Sequence, residues 1–207
     1  KQKRQGVELV IAVDVSNSML SQDLKPDRMS RAKRVLNRLI DNLKDDKVAL
    51  MVFAGDAYVQ MPLTTDVLSS KMFLSNINPG MVPIQGTAIG MAIKRSMQLF
   101  TQTESNVGKS IIIITDGENH EGGALEAAKE AAEKNMQVFI LGIGSPDGSP
   151  IPVERGSNDF RKDKDGNVIV TRLNEQMCQE IAKAGNGMYI RVDNSNSAEK
   201  ILNEEIS

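Results

Sequence analysis

Short side chains that carry oxygen follow the first apolar run of the chain. Asp14, Ser16 and Ser18 are spaced two residues apart, directly after the apolar sequence VELVIAV at 7–13. Carboxylates and hydroxyls at this spacing can coordinate a hard cation, but they can equally stabilise a turn or cap a helix. The rest of the sequence has to distinguish these two interpretations.

Two more oxygen-bearing residues stand at comparable positions. Thr87 follows Gly86 and opens a predicted helix, and Asp116 follows the apolar sequence SIIIIT at 110–115. Together the five residues offer two carboxylates and three hydroxyls, with no imidazole or thiolate. Such a set suits Mg²⁺ best, with Mn²⁺ or Ca²⁺ as alternatives, and does not suit zinc or copper. We therefore predict a metal site formed by Asp14, Ser16, Ser18, Thr87 and Asp116.

Predicted strands alternate with predicted helices along the whole chain. The strands are expected at 7–13, 48–53, 57–62, 110–115, 136–143 and 187–192, and the helices at 28–43, 66–77, 87–100, 124–134, 174–184 and 197–205. This order predicts a doubly wound α/β fold. Its central sheet should be mostly parallel, with helices on both faces and one antiparallel edge strand at 57–62.

The predicted topology explains why the five residues should lie together. In open α/β sheets, ligands bind beyond the carboxyl ends of the strands, where the strand order reverses. The loops after Val13 and Thr115 should share that edge, and Thr87 opens a helix there. Because all five residues fall at predicted strand or helix ends on one edge, a shared metal site is favoured over separate turns.

Composition narrows the classes of protein and partner. The 207 residues suit one domain, taken as 1–207, and 25 basic against 27 acidic residues give no electrostatic signature of nucleic-acid binding. Cys178 is the only cysteine, which excludes an intrachain disulfide and a cysteine-based zinc site. No apolar run reaches the length of about 18 residues that a membrane span needs. The polar segment 144–172 is predicted to be a surface insertion with a hairpin turn at Asp165-Gly166.

The motifs resemble the von Willebrand factor A domain. The pattern D-x-S-x-S at 14–18, the sequence TAIGMAI at 87–93 and the sequence IIIITDGEN at 111–119 match, in order, the metal-ion-dependent adhesion site (MIDAS) of that family. The resemblance implies that Ser16, Ser18 and Thr87 contact the metal through their hydroxyls, and that Asp14 and Asp116 bind it directly or through water. An Asp or Glu of a protein partner would complete the coordination.

A narrower resemblance links the chain to bacterial aerotolerance proteins of the BatA and BatB type. It is carried by the sequences VDVSNSML, DRMSRAK, VFAGDAYVQMPLTTD and SPIPV, and the 144–172 insertion is similar to that subgroup as well. The resemblance implies a domain of the bacterial cytoplasmic membrane, anchored by segments outside this chain. Its implied partners are other Bat-type operon products and a MoxR-type AAA+ ATPase. The basic residues at 1–6 fit a juxtamembrane position and, equally, a solvated start.

Two rival functions remain open at this stage: a Mg²⁺-dependent hydrolase or phosphatase, and a scaffold whose metal site is vestigial. No second carboxylate stands two residues after Asp14, and neither a G-x-S-x-G elbow nor a G-x-x-x-x-G-K-[ST] loop is present. His120, the only histidine, is interpreted as a solvated loop residue rather than a catalytic base. We therefore expect a binding module and not an enzyme.

Overall fold

Six strands form the central sheet in the computed structural model, which describes residues 6–101, 107–118 and 122–206. Their order is β3-β2-β1-β4-β5-β8; β3 is antiparallel to β2, and the other neighbouring pairs are parallel. The doubly wound α/β fold with one antiparallel edge strand is thereby confirmed. The strands are β1 Glu8–Asp14, β2 Lys47–Phe53, β3 Ala57–Thr64, β4 Lys109–Thr115, β5 Met136–Ile143, β6 Ser149–Pro150, β7 Val170–Thr171 and β8 Tyr189–Val192.

Helices cover both faces of the sheet. They are α1 Arg28–Asp41, α2 Val67–Ser75, α3 Ile89–Met97, α4 Ala124–Glu133, α5 Glu175–Ala184 and α6 Ser197–Ile206. Side chains alternate along a strand, so Leu9, Ile11 and Val13 pack with α1, α2 and α6, whereas Val10 and Ala12 pack with α3, α4 and α5. Every residue of β1 is buried as a result.

The order of the strands reverses between β1 and β4. The chain leaves β1 for α1 and β2 on one side, and it later returns to β4 on the other side. Loops that leave neighbouring strands in opposite directions open a crevice at the carboxyl edge of the sheet. Asp14 ends β1 and Asp116 follows β4, so both stand at this crevice.

The start of α3 differs from the prediction. The helix begins at Ile89, its N-cap is Ala88, and no side chain caps it, so the expectation that Thr87 opens the helix is wrong by two residues. Ala88 has a non-helical backbone, with φ −84° and ψ 66°, and its N–H donates to the Ala54 carbonyl at 2.7 Å, which ties this segment to the loop after β2. A short 3₁₀ helix over Asn17–Leu20, which buries Met19, was not predicted.

The insertion at 144–172 carries the short antiparallel pair β6–β7 and the predicted hairpin. Lys162 and Val168 form an antiparallel bridge, and Gly166 has a φ of +82° in the turn between them. The Ser21 hydroxyl donates to the Pro150 carbonyl over 2.9 Å. The insertion therefore lies against the loop that follows β1.

The predictions for His120 and for the basic start of the chain concern residues outside the described ranges. His120 and the basic residues 1–5 lie outside the residues that the structure describes. Within the described ranges, no helix has both the length and the apolar character needed to cross a bilayer.

Replacing Ile112 by alanine tests the packing of the central strand. Ile112 is fully buried in β4, so Ile112→Ala should lower the free energy of unfolding by about 2–5 kcal/mol through lost burial and a residual cavity. Urea unfolding would measure the change. Val168→Ala, at a half-exposed site in the insertion, should change stability by at most about 0.5 kcal/mol. Equal losses in both variants would contradict this description of the core.

Candidate metal centre

The carboxylate of Asp14 lies fully buried at the end of β1. One oxygen, Oδ1, accepts hydrogen bonds from the Ser16 amide at 2.9 Å and the Ser16 hydroxyl at 2.5 Å. The other oxygen, Oδ2, accepts from the Thr115 hydroxyl at 2.8 Å. Asp14 thereby joins the loop after β1 to the last residue of β4.

Contacting oxygen atoms of two serines lie between Asp14 and Asp116. The hydroxyls of Ser16 and Ser18 are 2.9 Å apart, and the Ser18 hydroxyl donates a short hydrogen bond to Asp116 Oδ2. The second oxygen of Asp116 accepts from the Glu118 amide at 3.1 Å. Four of the five predicted site residues therefore meet in one cluster.

The neighbours of Thr87 in the chain hold it at the same edge of the sheet. Besides the Ala88–Ala54 bond, the Gly55 amide donates to the Ile84 carbonyl at 2.7 Å, and the Asn17 amide donates to Gln85 Oε1 at 3.1 Å. These bonds hold the segment 84–88 beside the loops that follow β1 and β2. Among the described residues, no hydrogen bond joins the buried Thr87 hydroxyl to the other four side chains.

The backbone around the cluster is fixed on both sides. The Val15 amide donates to the Phe53 carbonyl at 2.8 Å, and the Val15 carbonyl accepts from the Gly80 amide at 2.9 Å. Gly117, with a φ of +67°, turns the chain after Asp116, and a Cβ there would lie 2.8 Å from the Cys178 sulfur. Short Ser, Thr and Asp side chains on such a backbone have little freedom, so the oxygen positions are set by the fold.

Arg28 is a member of the site that the sequence analysis missed. Its fully buried guanidinium donates from Nη1 to Asp116 Oδ2 at 3.1 Å, and from Nε and Nη2 to the two oxygens of Asp23 at 2.8 and 2.7 Å. In the sequence, Arg28 stands out only as the first residue of a predicted helix and as part of the sequence DRMSRAK. A weak signal was available, because a cation in the first turn of a helix opposes the helix dipole and acidic partners offset that cost.

A second layer of polar groups connects the cluster to the insertion. Thr171 donates a short hydrogen bond to Glu118 Oε2 and accepts one from Arg28 Nη1 at 3.3 Å. The amide of Arg172 also donates to Glu118, at 3.1 Å. Four carboxylates, those of Asp14, Asp23, Asp116 and Glu118, thus share this network with the Arg28 guanidinium, which leaves an excess of negative charge.

Burial and neighbouring charge both act on the pKa of Asp14. Burial is the larger cause, and together with the nearby Asp116 it raises this pKa from 3.8 to about 7, against the hydrogen bonds from Ser16 and Thr115. Burial also raises the pKa of Asp116, although the Arg28 guanidinium opposes the rise. Two buried carboxylates at one site resist being charged together unless a cation joins them.

The chemistry of the cluster fits a hard divalent cation. Its ligand atoms are all oxygens, and no group of three or more His, Cys, Asp or Glu within the described ranges is arranged to hold a metal. An ion here would therefore depend on the hydroxyls of serine and threonine together with two carboxylates. Mg²⁺, Mn²⁺ and Ca²⁺ accept such ligands.

Comparison with known proteins identifies the fold and the family. The sequence model of the von Willebrand factor type A (VWA) domain matches residues 8–204. The chain belongs to the VWA domain family. The similarity of this VWA domain to BatB-type proteins is confirmed as well: it is 62% identical to the hypothetical protein BatB from Bacteroides thetaiotaomicron, over 97% of each chain and with a TM-score of 0.93.

A second relative is an aerotolerance-related membrane protein from Bacteroides fragilis. It is 60% identical over 97% of this VWA domain and 98% of that chain, with a TM-score of 0.92. The chain spans about half the length of the curated bacterial relatives that it matches. It therefore corresponds to one part of those proteins.

A distant structure shares the fold alone. Proximal thread matrix protein 1 from the mussel byssus is 17% identical over 98% of this chain and 45% of that chain, with a TM-score of 0.69. In that protein the MIDAS motif is occupied by zinc. The five metal ligands of the present VWA domain stay a prediction, which the following two measurements address.

Substituting Asp14 by asparagine should stabilise the metal-free domain. A carboxyl whose folded pKa lies above its unfolded value destabilises the fold increasingly as pH rises from about 4 to about 7, because the folded state resists losing the proton. Asp14→Asn removes this cost, so its free energy of unfolding in EDTA should exceed that of the wild type by about 1–3 kcal/mol at pH 8 and by less at pH 5. Urea unfolding at both pH values measures it, and a variant less stable at pH 8 would contradict the prediction.

Mg²⁺ should stabilise the wild type more strongly at pH 8 than at pH 5. Both Asp14 and Asp116 must be ionised to bind the ion, and the raised pKa of Asp14 keeps it largely protonated at pH 5. Thermal unfolding with 10-fold steps of MgCl₂ would show a Tm that rises with concentration at pH 8. Asp165→Asn, at an exposed turn, should respond like the wild type, and Asp14→Asn should not respond. A response that is independent of pH would argue against ligation at Asp14.

Proposed function

We propose that this domain is a metal-ion-dependent binding module that captures an acidic side chain of a protein partner through a divalent cation, most suitably Mg²⁺, and that it is not an enzyme. The observation that carries the proposal is the cluster of contacting oxygens from Asp14, Ser16, Ser18 and Asp116 at the point where the strand order reverses. Membership of the VWA family and the MIDAS motif of the mussel protein support it.

Four of the five residues are buried, and Ser18 is half-buried. Asp14 and Asp116 are fully buried, and they would hold the cation from below, directly or through water. Ser16, Ser18 and Thr87 would contribute hydroxyl oxygens. Because hydroxyls are neutral and Arg28 already offsets part of the carboxylate charge, the ion would keep much of its positive charge. An ion bound in this way attracts a further anionic oxygen.

The site can be reached from one side. Ser18 and Asn17 are half-buried, in contrast to the two carboxylates beneath them. Beside them, the segment 80–85 carries the exposed side chains of Met81 and Ile84, and it is tied to this loop by the Gly80–Val15 and Asn17–Gln85 bonds. An acidic side chain approaching Ser18 would therefore have apolar surface next to it, which suits a protein partner better than a small anion.

The cellular setting belongs to the same proposal. The relative from Bacteroides fragilis is described as an aerotolerance-related membrane protein, and the curated relatives are about twice as long as the matched segment. We place the domain at the bacterial cytoplasmic membrane, anchored by segments outside this chain. Its partners would be other Bat-type operon products and a MoxR-type AAA+ ATPase, one of which presents the acidic residue.

A capture experiment tests metal-dependent recognition. Detergent-solubilised membranes of a BatB-containing bacterium would be passed over the immobilised domain in Mg²⁺ at pH 8, and bound proteins would be identified by mass spectrometry. We expect a partner that is retained in Mg²⁺ and released by EDTA. Asp14→Asn should retain none, because it lacks one of the two carboxylates that fix the ion.

Asp165→Asn is the matched control, since it makes the same chemical change on an exposed turn. It should retain the partner as the wild type does. A partner that binds equally in EDTA and to Asp14→Asn would contradict the proposal and would support a scaffold with a vestigial metal site. Mg²⁺-dependent phosphatase turnover that Asp14→Asn abolishes would instead support an enzyme.

A further inference from the structure

We propose that Arg28 competes with the bound metal for Asp116, and that it thereby couples metal binding to the anchoring of the insertion at 144–172. The inference rests on the proposed metal site and adds a residue outside the five predicted ligands. It starts from an unusual arrangement, a buried guanidinium in direct contact with one of the two carboxylates that would hold the cation.

The Arg28 guanidinium already pairs with the Asp116 carboxylate, which would also bind the metal. Asp116 Oδ2 accepts both the Ser18 hydroxyl and Arg28 Nη1, the latter at 3.1 Å. Both side chains of the ion pair are fully buried, so water screens their attraction weakly. The guanidinium is already a partial counter-charge for Asp116. A divalent cation that draws on the same carboxylate therefore meets electrostatic repulsion from Arg28.

The other contacts of Arg28 lead to both ends of the insertion. Asp23, which accepts two hydrogen bonds from Arg28, also accepts one from the Ser145 amide at 2.7 Å. Thr171, near the far end, accepts from Arg28 Nη1 at 3.3 Å and donates to Glu118. The Arg28 side chain thus contacts Asp116 of the proposed metal site. It also contacts Asp23 and Thr171, which anchor the two ends of the insertion.

Metal binding should redistribute these contacts. A cation at Asp116 weakens the acceptor strength of that carboxylate toward Arg28 and repels the guanidinium. Arg28 would then bind more strongly to Asp23 and Thr171, which are its remaining partners besides the Ser18 carbonyl, 3.4 Å from Nη1. Both ends of the insertion should become better anchored. The affinity of a partner that contacts the insertion would therefore depend on whether the metal is bound.

Hydrogen exchange and calorimetry on the same samples test this coupling. In the wild type, MgCl₂ at pH 8 should slow amide exchange at 145–149 and 170–173, beyond any change at the β3 edge around Tyr58. Arg28→Gln keeps hydrogen-bonding groups but removes the charge. It should bind Mg²⁺ roughly tenfold more tightly by isothermal titration calorimetry, because the repulsion is gone. Its insertion should no longer respond to the metal.

Arg155→Gln is the matched control. Arg155 also joins the insertion to α1, through Asp27 and Ser30, but its side chain is largely exposed and does not contact Asp116. It should leave Mg²⁺ affinity unchanged and keep the exchange response to the metal. If Arg28→Gln folds only when Mg²⁺ is present, its metal-dependent folding supports the proposal, and the wild-type exchange response still tests it.

The outcomes separate this inference from the proposed function. Wild-type protein that binds Mg²⁺ with unchanged or faster exchange at both ends of the insertion would overturn the coupling and leave the metal site in place. Equal Mg²⁺ affinity in a folded Arg28→Gln would overturn the competition. Wild-type protein that binds no Mg²⁺ would overturn both proposals.

Discussion

Two aspartates that are buried at one edge of the sheet impose the constraint on which the site depends. Asp14 and Asp116 lose their hydration at the ends of neighbouring strands, and the pKa of each is raised by burial. Hydrogen bonds from Ser16, Thr115 and Ser18 offset part of that cost, and Arg28 offsets part of the charge. The negative charge that remains uncompensated destabilises the metal-free fold, and a divalent cation bound there, as we propose, would neutralise it.

The doubly wound fold holds these groups without long side chains. The crevice between β1 and β4 places the two carboxylates side by side, and the sheet-like bond from Val15 to Phe53 extends the rigid backbone past Asp14. Gly117 makes the corresponding turn after Asp116, where Cys178 leaves no room for a Cβ. The insertion then closes over one side through Thr171 and Asp23. One buried arginine therefore contacts both the oxygen cluster and the partners of this neighbouring surface segment.

The sequence predicted the sheet, its antiparallel edge and the meeting of Asp14, Ser16, Ser18 and Asp116, because these follow from apolar periodicity and strand order. It did not predict that Thr87 precedes its helix, since the non-helical backbone of Ala88 and its bond to Ala54 belong to a tertiary contact with the loop after β2. It also missed Arg28, because a helix pattern shows which face is apolar but not which long side chain reaches a carboxylate 88 residues away. Pairings between distant loops depend on the tertiary fold, and periodicity carries no information about them.

The most direct test of a hydroxyl-rich divalent site is a crystal structure of the wild-type domain grown with Mn²⁺ at pH 8, with anomalous diffraction to locate the ion. We expect one anomalous peak bound by the hydroxyls of Ser16 and Ser18, with Asp14 and Asp116 on its buried side and Thr87 directed toward it. An ion bound elsewhere, with the Ser18 hydroxyl still donating to Asp116, would contradict it. So would the absence of any peak at Mn²⁺ concentrations that raise the Tm.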